Sequence, residues 1–371
     1  MTEPDRLRIL FVTARYLPSV GGVEIHAHEV ATRLARAGHQ VTVLTALTHG
    51  VLDDREELDG VEVLRVKAWL KNRDYYLSPA VYRSIRRADV DIVHCHGYYT
   101  FLAPLAMSAA LRSRVPYVVT FHGRGHSSLL RRNLRGPQEL ALRPLLSRAA
   151  GLIALSERER EFYQRTLRLP KSSFTIIPGG ADLAGDADSD DVAPEPDLIV
   201  SVGRAVRLKG HQRIIAALPR IAEARPQVRL RICGDGPAAG ELRRLAARLD
   251  VSDRVAIGAI PFAERADFIR TLRSAALVVS LSDSEAQPLA ALEAAYLRRP
   301  LLVTEAPGLN DVVEAGFAVG VPLDATSEAV AEHVIEQLER PRPIQYGSLP
   351  TWDECAMRIR QLYASVRRDR R

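Results

Sequence analysis

Two carboxylates lie eight residues apart where a polar loop runs into an Ala-rich stretch. Glu285 is in the loop and Glu293 follows Pro288, which suits the first position of a helix because no backbone N–H is needed there. A helix that starts at this point leaves the amides of Leu289 and Ala290 free to bind an anion. The spacing predicts a site for a ligand with an anionic centre flanked by hydroxyl groups. A capped core helix with one surface glutamate and one paired glutamate would give the same pattern.

A basic loop follows an apolar run further towards the N-terminus. In the segment Ser201–Gly210, Gly203 allows the backbone to approach a ligand closely, and Arg204 and Lys209 place two positive charges at the end of a predicted strand. This combination is typical of a diphosphate clamp. The loop lacks the Gly-Lys-Ser/Thr ending of a Walker loop. Two solvated basic residues in a loop are the simpler alternative.

Histidines occur at two predicted strand ends. His122 precedes Gly123 and could donate a hydrogen bond to a sugar or phosphate oxygen, although a structural histidine is the alternative. The run His94-Cys95-His96 also ends a strand. No matching carboxylate or cysteine cluster accompanies it, so we expect no metal site there.

The elements that carry these residues alternate between strands and helices. An apolar run at Arg8–Thr13 leads through Gly21 and Gly22 into a helix and then a second strand, and the alternation restarts at Leu198. This order predicts an α/β fold of two doubly wound Rossmann-like domains that face each other across a cleft. The predicted parts are an N-terminal domain at 1–180, a linker at 181–196, a second domain at 197–345 and a C-terminal helical segment at 346–371.

The composition is that of a soluble globular protein. Of the 371 residues, 47% are hydrophobic and 26% charged, and the net charge of +6 is mild. Three widely spaced cysteines form neither a disulfide framework nor a zinc pattern, which favours a reducing compartment. No signal-peptide pattern or membrane-length apolar run is evident. We therefore expect a cytoplasmic protein without a nucleic-acid partner.

One segment, Arg124–Arg148, stands out by its charge. It contains six arginines but a single acidic residue, Glu139, and leucines are interleaved among them. Such a segment could be an amphipathic surface for peripheral contact with the inner membrane face and with a lipid-linked ligand. It could equally be a solvated helical hairpin, or a patch for an anionic soluble ligand.

Together these features resemble the retaining glycosyltransferases of family 4, which have the GT-B fold, and the resemblance covers nearly the whole chain. It is carried by the following segments: Gly21-Gly22-Val23-Glu24, His122, Ser201–Gly210, Gly234-Asp235-Gly236-Pro237, and the pair Glu285 and Glu293. Ala286-Gln287-Pro288 stands where the family often has Gly-Phe-Gly. This leaves the amides of Leu289 and Ala290 as the expected phosphate contacts.

The resemblance implies transfer of a sugar from a nucleotide diphosphate sugar to an acceptor hydroxyl, with retention at the anomeric carbon and without a metal or cofactor. The acceptor would be a glycan, a glycolipid or a small molecule. The implied catalytic residues are His122, Arg204, Lys209 and Glu285. The implied donor-binding residues are Gly21, Gly22, Gly203, Gly234, Pro288, Leu289, Ala290 and Glu293. A sugar-nucleotide epimerase of the same fold and a non-catalytic sugar-nucleotide-binding protein are the alternatives.

Overall fold

The computed structural model divides the chain into two compact units. It describes residues 6–47, 52–69, 75–123, 129–183, 192–342 and 349–368, without the side chains of 129–135. Unit 1 holds the described residues up to Gly123, the segment Leu129–Gly180 and the chain from Pro350 onwards. Unit 2 holds the described residues from Ala181 to Leu349.

Unit 1 is built on one eight-stranded sheet. Its strands are β1 (Arg8–Thr13), β2 (Gln40–Ala46), β3 (Arg55–Leu58), β4 (Val61–Val66), β5 (Ile92–His96), β6 (Tyr117–Thr120), β7 (Gly151–Ala154) and β8 (Phe174–Ile176). Their order is β3-β4-β2-β1-β5-β6-β7-β8, and only the β3–β4 pair is antiparallel. The central strands are buried on both faces, which is why they are continuous apolar runs.

Helices complete unit 1. They are α1 (Gly22–Arg36), α2 (Pro79–Arg87), α3 (Leu102–Ser113), α4 (Leu129–Leu146), α5 (Glu157–Leu167) and the last helix of the chain, α12 (Trp352–Arg368). Trp352 and Tyr363 bury one face of α12, with 2% and 1% of their surface exposed. Gly180 lies so close to this helix that a Cβ there would come within 2.6 Å of the Trp352 ring. The C-terminal helix is thus part of the core of unit 1.

Unit 2 contains a six-stranded parallel sheet with the order β11-β10-β9-β12-β13-β14. The strands are β9 (Glu195–Val202), β10 (Arg229–Cys233), β11 (Val255–Gly258), β12 (Ala275–Ser280), β13 (Leu301–Thr304) and β14 (Val319–Val321). The helices are α6 (His211–Ala224), α7 (Ala239–Arg248), α8 (Arg265–Arg273), α9 (Leu289–Tyr296), α10 (Asn310–Glu314) and α11 (Ser327–Glu339). The direction of winding reverses between β9 and β12, and ligands of open parallel sheets bind beyond such a point.

Two predicted boundaries differ from the structure. The linker expected at 181–196 overlaps β9, because the amide of Glu195 already bonds to the carbonyl oxygen of Ser274 beside it. The segment expected to start at 346 begins later, since Leu349 packs in the core of unit 2 and α12 starts at Trp352. Residues 184–191 of the expected linker and 343–348 lie outside the described residues. Among the helices that the structure describes, none combines the length and apolar character needed to cross a membrane.

Candidate active site

The two loops that leave the switch point of unit 2 meet through an ion pair. Lys209, after β9, donates from Nζ to both carboxylate oxygens of Glu285, after β12, at 2.6 and 2.8 Å. The hydroxyl of Ser282 donates to Oε1 of the same carboxylate at 2.6 Å. The side chain of Glu285 is 12% exposed and that of Lys209 is 27% exposed. The structure therefore brings together two predicted residues, and an ammonium has a third N–H left for a ligand.

Buried hydrogen bonds hold the basic loop in place. The side chain of His211, at the start of α6, is buried, with Nδ1 2.9 Å from the hydroxyl of Ser201 and Nε2 3.1 Å from the carbonyl oxygen of Gly203. Burial lowers the pKa of His211, so the ring is neutral at neutral pH. A neutral ring can accept from the serine and donate to the carbonyl, which ties the loop to the strand and to the helix that it connects.

Glycine is required where the loops cross. Gly210 has φ of 70°, and a Cβ there would overlap the carbonyl oxygen of Leu281. The same carbonyl accepts a hydrogen bond of 2.8 Å from Nη1 of Arg213, which also bonds to Asp283 at 2.6 Å. Gly234 packs equally closely, since its Cβ would overlap the carbonyl oxygen of Gly203. The lack of side chains at these two glycines lets the site loops approach each other.

Arg204 is the predicted clamp residue without a partner. Its side chain is half-buried and makes no ion pair or hydrogen bond with any residue that the structure describes. The amide of the next residue, Ala205, donates to the carbonyl oxygen of Asp235 at 3.0 Å, so the loop also contacts the Gly-Asp-Gly-Pro turn after β10. A guanidinium held on such a fixed loop has its planar set of donors available for an oxyanion.

The start of α9 differs in detail from the prediction. Pro288 is the residue that precedes the helix, with φ of −81° and ψ of 68°, and is not its first helical residue. These angles belong to an inverse γ-turn, in which the amide of Leu289 donates to the carbonyl oxygen of Gln287 at 2.9 Å. The amide of Leu289 is therefore occupied. The amide of Ala290 has no acceptor among the described residues, so one of the two expected anion-binding amides is available.

Glu293 has a partner that the sequence did not indicate. The side chain of Glu293 is 8% exposed and forms an ion pair with Arg265, the first residue of α8. The guanidinium carbon of Arg265 lies 4.6 Å from the centre of the Phe268 ring. Arginine is abundant in this chain, so the sequence gives no signal that Arg265 in particular contacts Glu293. The carboxylate is thus held by one cation beside the start of α9.

In unit 1, His122 follows β6 as predicted and contacts a second histidine. Nε2 of His122 lies 3.2 Å from Nδ1 of His96, at the end of β5. Burial lowers the pKa of both imidazoles well below the usual value. A neutral His122 carries one N–H and one lone pair, so it can orient a hydroxyl group but cannot supply a positive charge.

The predicted glycine turn forms the start of α1. Gly21 precedes the helix in an extended conformation and Gly22 is its first residue. A Cβ on Gly21 would collide with the carboxylate of Glu24, which is buried and accepts from Nε of Arg15 at 3.0 Å. The glycine thus leaves room at the helix start for an ion pair between the buried Glu24 and the half-buried Arg15.

Comparisons with known proteins match both units. A family model described as Glycosyltransferase Family 4 matches residues 20–184, and one described as Glycosyl transferases group 1 matches residues 187–347. This chain belongs to the family 4 glycosyltransferases. The glycosyltransferase has the GT-B fold, in agreement with its two units of mostly parallel sheets flanked by helices.

Two curated relatives and one solved structure are similar over most of their length. A phosphatidylinositol N-acetylglucosaminyltransferase subunit of Arabidopsis thaliana is 25% identical over 98% of this chain and 80% of the relative. The phosphatidyl-myo-inositol mannosyltransferase of Mycobacterium tuberculosis is 27% identical over 93% of each chain. The structure of Anabaena HepE in complex with UDP-glucose superposes with a TM-score of 0.68 at 18% identity, covering 98% of this chain and 99% of that one.

A buried carboxylate fixes the backbone of the glycosyltransferase next to His122. Oε1 of Glu159 accepts from the amide of Gly123 at 2.7 Å, and Oε2 accepts from the amide of Leu155 at 2.8 Å. Glu159 lies in the first turn of α5. The hydroxyl of Ser156 caps this helix by accepting a hydrogen bond of 3.2 Å from the amide of Glu159. The sequence offers one signal for this residue, which is a serine followed three positions later by a glutamate.

Replacing this carboxylate by an amide should change how stability depends on pH. Burial raises the pKa of Glu159 from 4.5 to about 7, so the folded protein binds this proton more tightly than the unfolded chain. The protonated Glu159 carboxyl therefore contributes its full stabilising free energy below pH 4.5, and this contribution is lost as the pH rises through about 7. We expect the stability advantage of the wild type over Glu159→Gln to shrink by roughly 3 kcal/mol across that window.

Urea unfolding of the wild type and Glu159→Gln at pH 4.5, 6 and 7.5 measures the difference in their free energies of unfolding. The other titrating groups are the same in both proteins, so their contributions cancel in this difference. Glutamine cannot accept from both amides, since one end of its side chain is a donor, and that cost is the same at each pH. Parallel pH profiles for the two proteins would contradict the raised pKa.

Proposed function

We propose that this glycosyltransferase moves a sugar from a nucleotide diphosphate sugar to an acceptor hydroxyl, with retention of the anomeric configuration and without a metal ion. The observation that carries the proposal is the Lys209–Glu285 pair at the carboxyl ends of β9 and β12. It places a cation and a carboxylate at the switch point of unit 2. A diphosphate needs the cation, and a sugar hydroxyl can donate a hydrogen bond to the carboxylate.

Stabilisation of the leaving group is the main chemical task, because negative charge grows on the diphosphate as the glycosidic bond breaks. The third N–H of Lys209 is one donor for that charge. The guanidinium of Arg204 and the amide of Ala290, which have no partner in the described part of the chain, are two more. Donors that are fixed before the reaction stabilise developing charge without reorganising. These three donors are the basis for proposing that this step proceeds without a metal ion.

Glu285 is assigned to orienting the sugar and holding Lys209. Its carboxylate accepts from the ammonium of Lys209 and the hydroxyl of Ser282. Hydrogen bonds to the charged form stabilise it and make it a poorer nucleophile. We therefore do not assign Glu285 as a residue that attacks the anomeric carbon, in contrast to the nucleophile of a retaining glycosidase.

The Glu293–Arg265 pair is assigned to the nucleoside end of the donor. Glu293 lies on the second turn of α9, and its carboxylate has lone pairs beyond those used by Arg265 for the hydroxyl groups of a ribose. His122 is assigned to positioning a hydroxyl of the transferred sugar or of the acceptor, since a neutral imidazole can donate or accept one hydrogen bond.

The acceptor class is proposed from the relatives. Both curated relatives carry phosphatidylinositol in their names, whereas the sugars in those names differ. We therefore propose an inositol-containing or other glycolipid acceptor and leave the donor sugar to experiment. The six arginines of the segment Arg124–Arg148 suit an anionic acceptor. Residues 124–128 lie outside the described residues. The helix α4 begins at Leu129, and Leu140 within it has 65% of its surface exposed.

A donor and acceptor screen tests the proposal. Thermal-shift measurements with UDP-, GDP- and ADP-sugars select the donor, and mass spectrometry then follows transfer to phosphatidylinositol in vesicles, with soluble inositol phosphates and glycans in parallel. We expect a glycolipid product whose anomeric coupling constant matches that of the donor, in EDTA as well as in buffer. Inversion of configuration or a loss of turnover in EDTA would overturn the mechanism, and transfer only to soluble acceptors would overturn the acceptor class.

A further inference from the structure

Three histidines from separate segments of unit 1 converge in one cluster, in which His26 and His96 are buried and His122 is half-buried. They are His26 in α1, His96 at the end of β5 and His122 after β6, and one ring nitrogen of each lies within 4.8 Å of the others. The ring centres of His26 and His122 are 4.9 Å apart, and those of His26 and His96 are 5.6 Å apart. We call these residues the three-histidine cluster. The function proposed above employs only His122.

The three-histidine cluster has unmet hydrogen-bonding capacity. Nδ1 of His26 and Nε2 of His96 are fully buried and have no hydrogen-bond partner among the residues that the structure describes. His26 and His96 are 1% and 5% exposed. A buried polar atom without a partner lowers stability, so Nδ1 of His26 indicates that a partner of the cluster is missing. Nε2 of His96 points away from the Nδ1 atom that faces His122, and it does not bear on this site.

The spacing of the ring nitrogens fits the coordination of a metal ion. A tetrahedral Zn²⁺ ion binds imidazole nitrogens at ~2.0–2.1 Å, which places two such nitrogens ~3.3 Å from each other. Nδ1 of His96 and Nε2 of His122 are already 3.2 Å apart. The neighbours are aromatic: Phe11 lies 4.7 Å from the His96 ring and Trp352 lies 5.5 Å from the His26 ring, measured between ring centres.

We propose that the three-histidine cluster is a binding site for one transition-metal ion of the Zn²⁺ type, with a fourth position left for water. Imidazole nitrogens favour Zn²⁺, Cu²⁺ or Ni²⁺, whereas Mg²⁺ and Ca²⁺ require oxygen ligands. The ion is not part of sugar transfer. It binds His122 and thereby removes that ring from its positioning role, so the site inhibits the enzyme. Only this inhibition depends on the proposed function, while the binding itself does not.

Isothermal titration calorimetry of the EDTA-treated full chain with ZnCl₂ tests the site. We expect one Zn²⁺ per chain and an increase in melting temperature, with no binding of Mg²⁺ at the same concentration. His26→Gln and His96→Gln should each lower the Zn²⁺ affinity by more than ~100-fold, because each removes a direct ligand and loss of an outer-shell partner alone costs ~10–100-fold. His333→Gln is the matched control, because His333 lies on α11 in unit 2, bonds to the carbonyl oxygen of Ala329, and is expected to leave the affinity unchanged.

A spectroscopic measurement on the wild type covers the case in which a histidine variant does not fold. Co²⁺ in a nitrogen-rich site of low coordination number gives intense visible bands, whereas six-coordinate Co²⁺ on a surface gives weak ones. Intense bands that Zn²⁺ abolishes would support the site. Weak bands, or Zn²⁺ affinity that both cluster substitutions leave unchanged, would overturn it. Zn²⁺ binding at the cluster without a fall in transfer rate would retain the site and refute the inhibition.

Discussion

Lys209→Ala is expected to lower the transfer rate by about 10²–10³-fold, the loss seen when one preorganised donor is removed from a developing negative charge. The substitution removes the ammonium that bonds to both oxygens of Glu285 and leaves a carboxylate that is only 12% exposed without its cation. The donor diphosphate loses a positive charge, and the sugar-orienting carboxylate loses its anchor. Initial rates with the selected donor and acceptor, measured at saturation, report the change in kcat.

The matched control is Arg207→Ala, two residues away on the same loop. It removes the same charge, but the side chain of Arg207 is 81% exposed and its nearest carboxylate, that of Glu241, is 3.9 Å away. We expect less than a twofold change in rate. A Lys209→Ala enzyme that keeps more than a third of the wild-type rate would refute the assignment of Lys209, and an equal loss in both variants would indicate a general effect of charge.

Glu293→Gln provides a contrast within the same unit. Because Glu293 is assigned to the nucleoside, its loss should weaken nucleotide binding and raise the KM for the donor more than it lowers kcat. Lys209→Ala should do the opposite, because its interaction strengthens as the diphosphate leaves. The same kinetic effect from both substitutions would mean that the two ends of the donor have been assigned wrongly.

The order of elements could be predicted because buried parallel strands leave a clear signal. The predicted run Arg8–Thr13 is strand β1 in the structure, with the predicted bounds. The strand Arg55–Leu58 was not predicted, since it is a polar antiparallel edge strand that shows no continuous apolar run. The signal therefore depends on burial of both faces of the sheet and disappears at its edges.

The partners of the site residues could not be predicted in the same way. Glycine spacing and basic residues after a strand indicated Lys209, and the carboxylate spacing indicated Glu285, but nothing in the spacing showed that the two would form an ion pair. The same holds for Arg265 with Glu293 and for His26 with His96, which come from separate elements. Such pairs arise from the order of strands in the sheet, and that order is a property of the folded chain.

Gly210→Ala is expected to destabilise unit 2 by more than about 3 kcal/mol, since it combines a strained backbone conformation with overpacking. Gly210 has φ of 70°, and the added Cβ would overlap the carbonyl oxygen of Leu281. Relief of that overlap requires the loop after β9 to move away from the loop after β12. This movement would separate Lys209 from Glu285, so we expect the transfer rate of the surviving folded protein to fall as well.

Gly240→Ala is the control for the loss of a glycine. Gly240 is exposed within the helix α7, and the nearest heavy atom to an added Cβ is the flexible Nη1 of Arg244 at 3.5 Å. Alanine there should stabilise the protein by roughly 0.5–1 kcal/mol, because it favours helix and restricts the unfolded chain. Urea unfolding followed by circular dichroism measures both variants. A Gly210→Ala protein as stable as the wild type would show that the two site loops do not need this close contact to hold the Lys209–Glu285 pair.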